Sequence, residues 1–124
     1  MNAFPATPEE TPEAVRGALE SELIVLIDVR EPGEYATARI AGSLLFPLST
    51  FDARKLPVGG RPIVLCCGSG KRSAAAFDMC RRAGVTVRSH LAGGLLAWRK
   101  AGLPVCGTSA DTGEMHFTVE AGQS

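Results

Sequence analysis

Cys66-Cys67-Gly68-Ser69-Gly70-Lys71-Arg72-Ser73-Ala74-Ala75-Ala76 stands between two segments of different hydrophobic period. Upstream, Ile63-Val64-Leu65 is a short apolar, β-branched run of the kind that forms a buried strand. Downstream, Ala76, Met79, Cys80 and Ala83 recur at i, i+3, i+4 and i+7, the spacing of one helix face. A tight glycine turn between strand and helix aims successive backbone N–H groups, and the positive end of the helix, at one point. A cysteine at the rim of that concavity is stabilised as thiolate, below the free-thiol pKa of about 8.5. The residue types therefore predict a nucleophile cradle around Cys67. The competing reading is a buried, inert thiol closing a strand, because free cysteine often serves as a small hydrophobe.

Outward from this loop the chain alternates strand and helix signals. Leu23-Ile24-Val25-Leu26-Ile27 is a continuous apolar run, read as a strand buried on both faces and so part of a parallel sheet covered by helices. Asp28-Val29-Arg30 follows at its carboxyl end, where open α/β sheets place their ligands. On residue types alone, Asp28 either caps a helix over residues 31–38 or pairs with Arg30 to brace the loop. Thr11-Pro12-Glu13 reads as a helix start, with Val15, Ala18 and Leu19 as its apolar face. Residues 1–9, proline-rich and acidic, are expected to be a loose lead-in.

Gly42-Ser43 opens a turn, Leu44-Leu45-Phe46 is a short strand, residues 48–55 are expected to be helical and 57–62 a loop. The helix after the cysteine loop is expected to stop near Ala83 with Gly84 beyond its end. Asp78 and Arg82, four apart, form a surface pair on it. Residues 85–89 alternate as a strand. Gly93-Gly94 leads into a helix that carries Leu95 and the core anchor Trp98, stopped by Gly102 and Pro104. This alternation predicts an α/β domain with a mainly parallel sheet over residues 10–104. Residues 105–124 are expected to be a mobile C-terminal tail, in which Met115–Val119 could add an edge strand.

The totals narrow the function classes. A chain of 124 residues, 45% hydrophobic and 21% charged, fits one globular soluble domain. Thirteen basic and thirteen acidic residues cancel, so no global field recruits nucleic acid or an anionic membrane. Charge is uneven along the chain: residues 1–34 carry eight acids against two arginines, and residues 71–88 five basic residues against Asp78. The first residues have no basic start and no apolar core of a signal peptide, and no apolar run approaches a membrane span. Four cysteines, two of them adjacent, do not make a disulfide framework, and a working thiol is expected in the cytoplasm.

Cys67-Gly68-Ser69-Gly70-Lys71-Arg72 resembles the six-residue active-site loop of rhodanese-like sulfurtransferases, cysteine first. The resemblance extends, in the family's order, to Asp28-Val29-Arg30, Glu34-Tyr35, Ile40-Ala41-Gly42-Ser43, and Leu91-Ala92-Gly93-Gly94 followed by Trp98. It implies a three-layer α/β/α rhodanese-like fold with a sheet of roughly five strands. It implies that the Cys67 thiolate attacks the outer sulfur of a donor such as thiosulfate, releasing sulfite. The resulting persulfide, held by the loop Gly68, Ser69, Gly70, Lys71 and Arg72, is handed to cyanide, a thiol or a protein cysteine. Lys71 and Arg72 are the candidates to bind the donor's anionic end; their competing role is as exposed residues of the first helical turn. Ser69 either hydrogen-bonds the sulfur or caps the helix. Asp28 and Arg30 support the loop. The partners implied are a small sulfur-containing anion and a sulfur-donor or sulfur-acceptor protein; no cofactor and no metal is implied.

Three departures keep rivals in view. Gly68 is neutral where many thiosulfate-using relatives carry a cation, and Cys-Gly-Ser-Gly resembles the loop start of mercaptopyruvate sulfurtransferases, whose loops lack the following Lys-Arg. A sulfur-relay or binding module serving a partner protein is therefore the first alternative. Counted from Cys66, the spacing is also Cys-x5-Arg, the loop length of dual-specificity phosphatases and arsenate reductases, although Leu65 precedes it where such phosphatases usually have histidine. Arg39 stands where the family often has histidine. Cys66 is otherwise read as an inward-facing strand residue and Cys80 as structural. Cys106 is read as an exposed thiol in the tail, with a role as resolving cysteine as the alternative. His90 and His116 lack a metal-ligand pattern.

Overall fold

The computed structural model describes residues 6–108 and the backbone of 115–119. Thr11 begins the first helix as its sequence suggests: its Oγ1 accepts the Ala14 N–H at 3.1 Å, and Pro12 occupies the first helical position, where a missing N–H costs nothing. This helix, α1 (Pro12–Glu20), follows a two-residue strand, β1 (Glu9–Glu10). Next come β2 (Val25–Asp28), α2 (Pro32–Thr37), β3 (Leu44–Leu45), β4 (Ile63–Cys66), α3 (Lys71–Arg82), β5 (Ser89–Leu91) and α4 (Gly94–Lys100). A hairpin of β6 (Pro104–Thr108) and β7 (Met115–Val119) follows.

The main sheet has five strands in the order β1-β5-β4-β2-β3, every pairing parallel. Period-two alternation divides its side chains between two cores. Leu26, Val64 and Cys66 face α1 and α4, with Val15, Leu95 and Trp98 packed on them. Ile27, Leu65 and Cys67 face the opposite layer, with Ala76, Phe77 and Cys80 of α3. Helices thus cover both faces, the three-layer α/β/α arrangement; of the apolar run Leu23–Ile27, expected to be a buried strand, Val25–Ile27 lie in β2 while Leu23 is exposed ahead of it. Asp28 of β2 is the register partner of Cys66 of β4, so the loops leaving the carboxyl ends of these strands lie side by side.

Several expectations are corrected. Residues 85–88 are not a strand: the Val85 N–H is spent on the Cys80 carbonyl, closing the end of α3, and the β5 ladder forms over Ser89–Leu91. Their alternation reflects packing instead, since Val87 is buried and Val85 lies against the same core. Residues 48–55 form two separate 3-10 turns, Leu48–Thr50 and Ala53–Lys55, because Phe51 is extended and the Asp52 side chain takes the Arg54 N–H to start the second. In the stretch expected to be a loose lead-in, Glu9 belongs to β1, with the Pro8 and Glu10 carbonyls accepting the N–H groups of His90 and Ala92. Residues 1–5 lie outside the described residues.

Residues 105–108, expected in the tail, belong to β6, where Val105 and Cys106 are buried. Cys106 is therefore not an exposed thiol: its N–H and carbonyl both pair with the Arg39 backbone, at 2.8 and 2.7 Å, which pins the strand against the domain. The Met115–Val119 run forms a strand but pairs antiparallel with β6 in a second, two-stranded sheet, not with the edge of the first. The remainder of the expected tail, 109–114 and 120–124, lies outside the described residues, and His116 lies in β7, of which only the backbone is described. Among the described residues no helix is long and apolar enough to cross a membrane.

Candidate active site

The last side chains of β4 decide which cysteine the loop receives. Successive residues of a strand point to opposite faces. Cys66 points into the core beneath α1 and α4, where burial, and after it the nearby Asp28 carboxylate, pushes its thiol well above the ordinary range. Cys67 points the other way, toward α3. Its Sγ accepts the N–H of Gly70 at 3.0 Å and the N–H of Ser73 at 3.3 Å, and the Ser73 hydroxyl lies 3.5 Å away. Burial of Cys67 pushes its pKa up. The Ser73 hydroxyl and the N–H groups of Ser73, Gly70 and Ser69 together outweigh that, and the thiol sits below its ordinary value.

The loop is shaped from both sides. Gly70 has φ +104°, a left-handed conformation that turns its N–H toward the sulfur and that an L side chain rarely adopts. On the outer side, the carbonyls of Cys67 and Gly68 accept the N–H groups of Leu95 and Leu96 at 2.8 and 3.0 Å. The otherwise orphaned first N–H groups of α4 are thereby satisfied, and with these carbonyls held outward the loop's N–H groups are left to face in. So close an approach needs Gly94: a Cβ there would lie 2.5 Å from the Cys67 carbonyl oxygen and 2.6 Å from that of Gly68. Gly93-Gly94 is thus a backbone contact with the cysteine loop as well as a helix start.

The charged residues take unexpected partners. Arg72 is bound through both arms to Glu34 of α2, Nη1 to Oε1 at 2.8 Å and Nη2 to Oε2 at 3.0 Å. The Arg72 hydrogen bond, followed by one from the Glu31 N–H, holds the Glu34 carboxyl down at about 2. A Cβ at residue 68 would sit 3.2 Å from Arg72 Nη2, so the guanidinium lies over Gly68. Lys71, in contrast, is exposed and makes no ion pair among the described residues. Ser69 does not cap α3, whose N-cap is Gly70; its backbone N–H helps hold the sulfur.

Asp28 and Arg30 form a buried pair, with side chains 3% and 6% exposed. The Arg30 Nε reaches both Asp28 oxygens at 3.1 Å, and its Nη2 donates to Asp28 Oδ2 at 2.9 Å and to the Ala38 carbonyl at 2.6 Å. Of the two readings open in the sequence, bracing is the one observed; the N-cap of α2 is Glu31. Arg30 also donates to the Glu34 carbonyl, so this pair fixes the turn that presents Glu34 to Arg72.

Sequence reasoning missed Ser73, His90 and Glu9. Ser73 lies one residue beyond the loop as read, but as the third residue of α3 it turns N–H and hydroxyl back onto the sulfur. His90 Nδ1 is 2.7 Å from Ser73 Oγ, although its sequence neighbourhood carries no ligand spacing. Only the parallel pairing of β4 with β5 brings it there, and no local pattern announces it.

A sequence profile of the Rhodanese-like domain matches residues 11–101. An uncharacterized protein, slr1261, from Synechocystis is 40% identical over 98 residues, 78% of this chain and 55% of that protein; the chain thus spans about half the relative's length. A protein named "Sulfurtransferase" from Allochromatium vinosum is 32% identical over 87 residues, 69% of this chain and 81% of its own. Among solved structures, a rhodanese-related protein from Thermoplasma volcanium superposes with a TM-score of 0.70 at 26% identity, covering 79% of this chain and 96% of that one. With the profile spanning most of the chain and the same architecture in solved relatives, the chain belongs to the rhodanese-like domain family.

Proposed function

We propose that the protein is a sulfurtransferase that carries sulfane sulfur as a persulfide on Cys67. The observation that supports this most is the convergence of the Gly70 and Ser73 N–H groups and the Ser73 hydroxyl on Sγ. Such a cradle stabilises a thiolate before reaction and the negative outer sulfur of a persulfide after it. The thiolate attacks the outer sulfur of a donor such as thiosulfate; the new S–S bond forms as the donor's S–S bond breaks, and its electron pair leaves with sulfite. A thiophilic acceptor (cyanide, a thiol or a protein cysteine) then attacks the outer sulfur, and the electron pair of the S–S bond returns to Cys67. The two half-reactions predict ping-pong kinetics. No cofactor or metal takes part. A reducing compartment, the cytoplasm, suits this chemistry, and all four cysteines are free.

A second reading, a relay module loaded by a protein persulfide, is favoured by one feature. The Arg72 guanidinium of the loop is already paired with Glu34, and Gly68 adds no charge, so Lys71 is the cation of the loop without an ion pair among the described residues. Intact-protein mass after incubation with thiosulfate, on the wild type, Cys67→Ser and Cys66→Ser, separates these readings. One added sulfur on the wild type and Cys66→Ser, absent from Cys67→Ser and removed by cyanide, supports the first. No sulfur from thiosulfate, but one from a persulfidated donor protein, supports the second. A sulfur that persists in Cys67→Ser rejects both.

A further inference from the structure

Behind the sulfur runs a line of polar groups that the transfer chemistry does not itself require. Ser73 Oγ lies 3.5 Å from Cys67 Sγ, 3.2 Å from the Gly70 carbonyl oxygen and 2.7 Å from His90 Nδ1. His90 Nε2 in turn lies 3.4 Å from Glu9 Oε2. Cys67, Ser73 and His90 are buried, whereas the Glu9 side chain is 58% exposed. The cysteine loop, α3, β5 and β1 each contribute one member, so the line leads from the reacting atom to solvent.

The hydroxyl has one proton and three acceptors in reach, and the imidazole decides among them. In neutral His90 the Glu9 carboxylate favours the proton on Nε2. Nδ1 is then an acceptor, and its short contact draws the Ser73 proton away from the sulfur. In the imidazolium both ring nitrogens are donors, Nδ1–H to Ser73 Oγ and Nε2–H toward Glu9. The Ser73 proton must then turn to Sγ or to the Gly70 carbonyl, and a thiolate is the stronger acceptor.

We propose that His90 is a positioning residue for Cys67: binding of a proton to its ring, assisted by Glu9, turns the Ser73 hydroxyl onto the sulfur and tightens the hold on its negative charge. The proposal rests on Cys67 as the reacting thiol. The proton comes from solvent on the Glu9 side, and no bond other than N–H is made. Burial lowers the ring's affinity for a proton and Glu9 raises it, leaving His90 below the ordinary imidazole value. Among the described residues, the titratable groups facing the ring are Glu9 from β1 and, through Ser73, Cys67 from the loop; α3 presents the neutral Ser73, and the loop adds Gly70. Coupling is reciprocal, so a thiolate at Cys67 must raise the affinity of His90 for a proton, and thiol and ring titrate as a pair.

The test reads the thiol, not the transfer. Alkylation of Cys67 by iodoacetamide, resolved from the other cysteines by peptide mass, is followed from about pH 4 to 9, the span in which ring and thiol ionise. The full-length wild type, His90→Asn, Ser73→Ala and the double variant are compared. The wild type is expected to show two ionisations. His90→Asn, whose amide does not titrate, is expected to show one. Ser73→Ala is expected to raise the Cys67 pKa by about one unit, the scale of one hydrogen bond to a charged group, and to abolish any further effect of His90→Asn. Superimposable wild-type and His90→Asn profiles, or an equal effect of His90→Asn with and without Ser73, overturn the proposal. A second readout needs no variant: in the wild type, the His90 ring nitrogen shifts followed by NMR must show a second inflection at the Cys67 ionisation that alkylation removes, and a ring titration without it overturns the proposal. If these results hold while thiosulfate and persulfide donors leave no sulfur on Cys67, the functional reading fails and the coupling stands.

Discussion

Arg72 and Glu34 face each other across the mouth of the cysteine loop, each guanidinium arm on its own carboxylate oxygen at 2.8 and 3.0 Å. The two-donor edge that would suit an oxyanion is thus occupied by the protein's own carboxylate, leaving Lys71 as the cation of the loop with no ion pair among the described residues. The pair also ties α2 to the start of α3 and thereby sets the rim of the site.

Glu34→Gln removes the competing charge and frees Arg72. The KM for thiosulfate is expected to fall about 3- to 10-fold, roughly 0.7–1.4 kcal/mol, the scale of a partly exposed charge-assisted contact. The gain should shrink as salt is raised. Steady-state kinetics at two ionic strengths measure both, and an unchanged or higher KM would count against Arg72 as a donor-binding group.

The same pair has a signature in stability. Glu34 is held at about 2, against an ordinary 4.5, so its contribution is fully present above about 4.5 and is lost as pH falls toward about 2. Both side chains are more than one-third exposed, which limits the contribution to about 0.2–1 kcal/mol. Urea midpoints of the wild type and Glu34→Gln should differ in that sense at neutral pH and converge as pH approaches 2. A gap that persists at the acid end contradicts the assignment.

Asp28→Ala leaves the Arg30 guanidinium buried without its counter-charge. The expected loss is about 3–5 kcal/mol, as when one partner of a buried pair is removed. Because Arg30 also holds the Ala38 and Glu34 carbonyls, loop order should decline as well. Chemical denaturation gives the loss directly, and a value within about 1 kcal/mol of the wild type, the scale of an exposed pair, refutes the bracing role.

Gly94→Ala places a methyl 2.5 Å from the Cys67 carbonyl oxygen, at a residue with φ +61°. The loop must shift outward, and the two hydrogen bonds from α4 weaken. The Cys67 alkylation rate at neutral pH is expected to fall about 10-fold or more, as a pKa rise of one unit or beyond would give, together with a drop in melting temperature. A stable variant with unaltered thiol reactivity would show that α4 does not shape the cradle.

Cys66→Ala leaves a small void in the core under α1 and α4. A loss of about 1–2 kcal/mol is expected, as for deletion of a small buried group, with sulfur loading of Cys67 intact. Loss of loading in a folded Cys66→Ala protein would reopen the Cys-x5-Arg reading.

Legibility in the sequence followed the range of the interaction. The buried strands over residues 63–66 and 25–28, the Thr11 cap of α1, the Gly84 stop of α3 and the glycine loop around Cys67 were readable because each is set by residues a few positions apart. The Val85–Ser89 alternation misled because strand and packed loop share a period of two when both touch a core, and only the Val85 hydrogen bond to Cys80 tells them apart. Residues 105–108 misled for the opposite reason: their composition resembles a tail, and their order comes from pairing with Arg39, far away in the chain.

The sequence by itself determined a parallel α/β domain with a cysteine in a glycine turn, because hydrophobic period and turn chemistry are local and survive in any context. Tertiary structure alone decided that Arg72 is spent on Glu34, and that His90 and Glu9 stand behind Ser73. Those relationships depend on strand register and on parallel neighbours distant in the chain. One residue of register moves a side chain to the other face of the sheet, and such a choice is fixed by the packed layers as a whole.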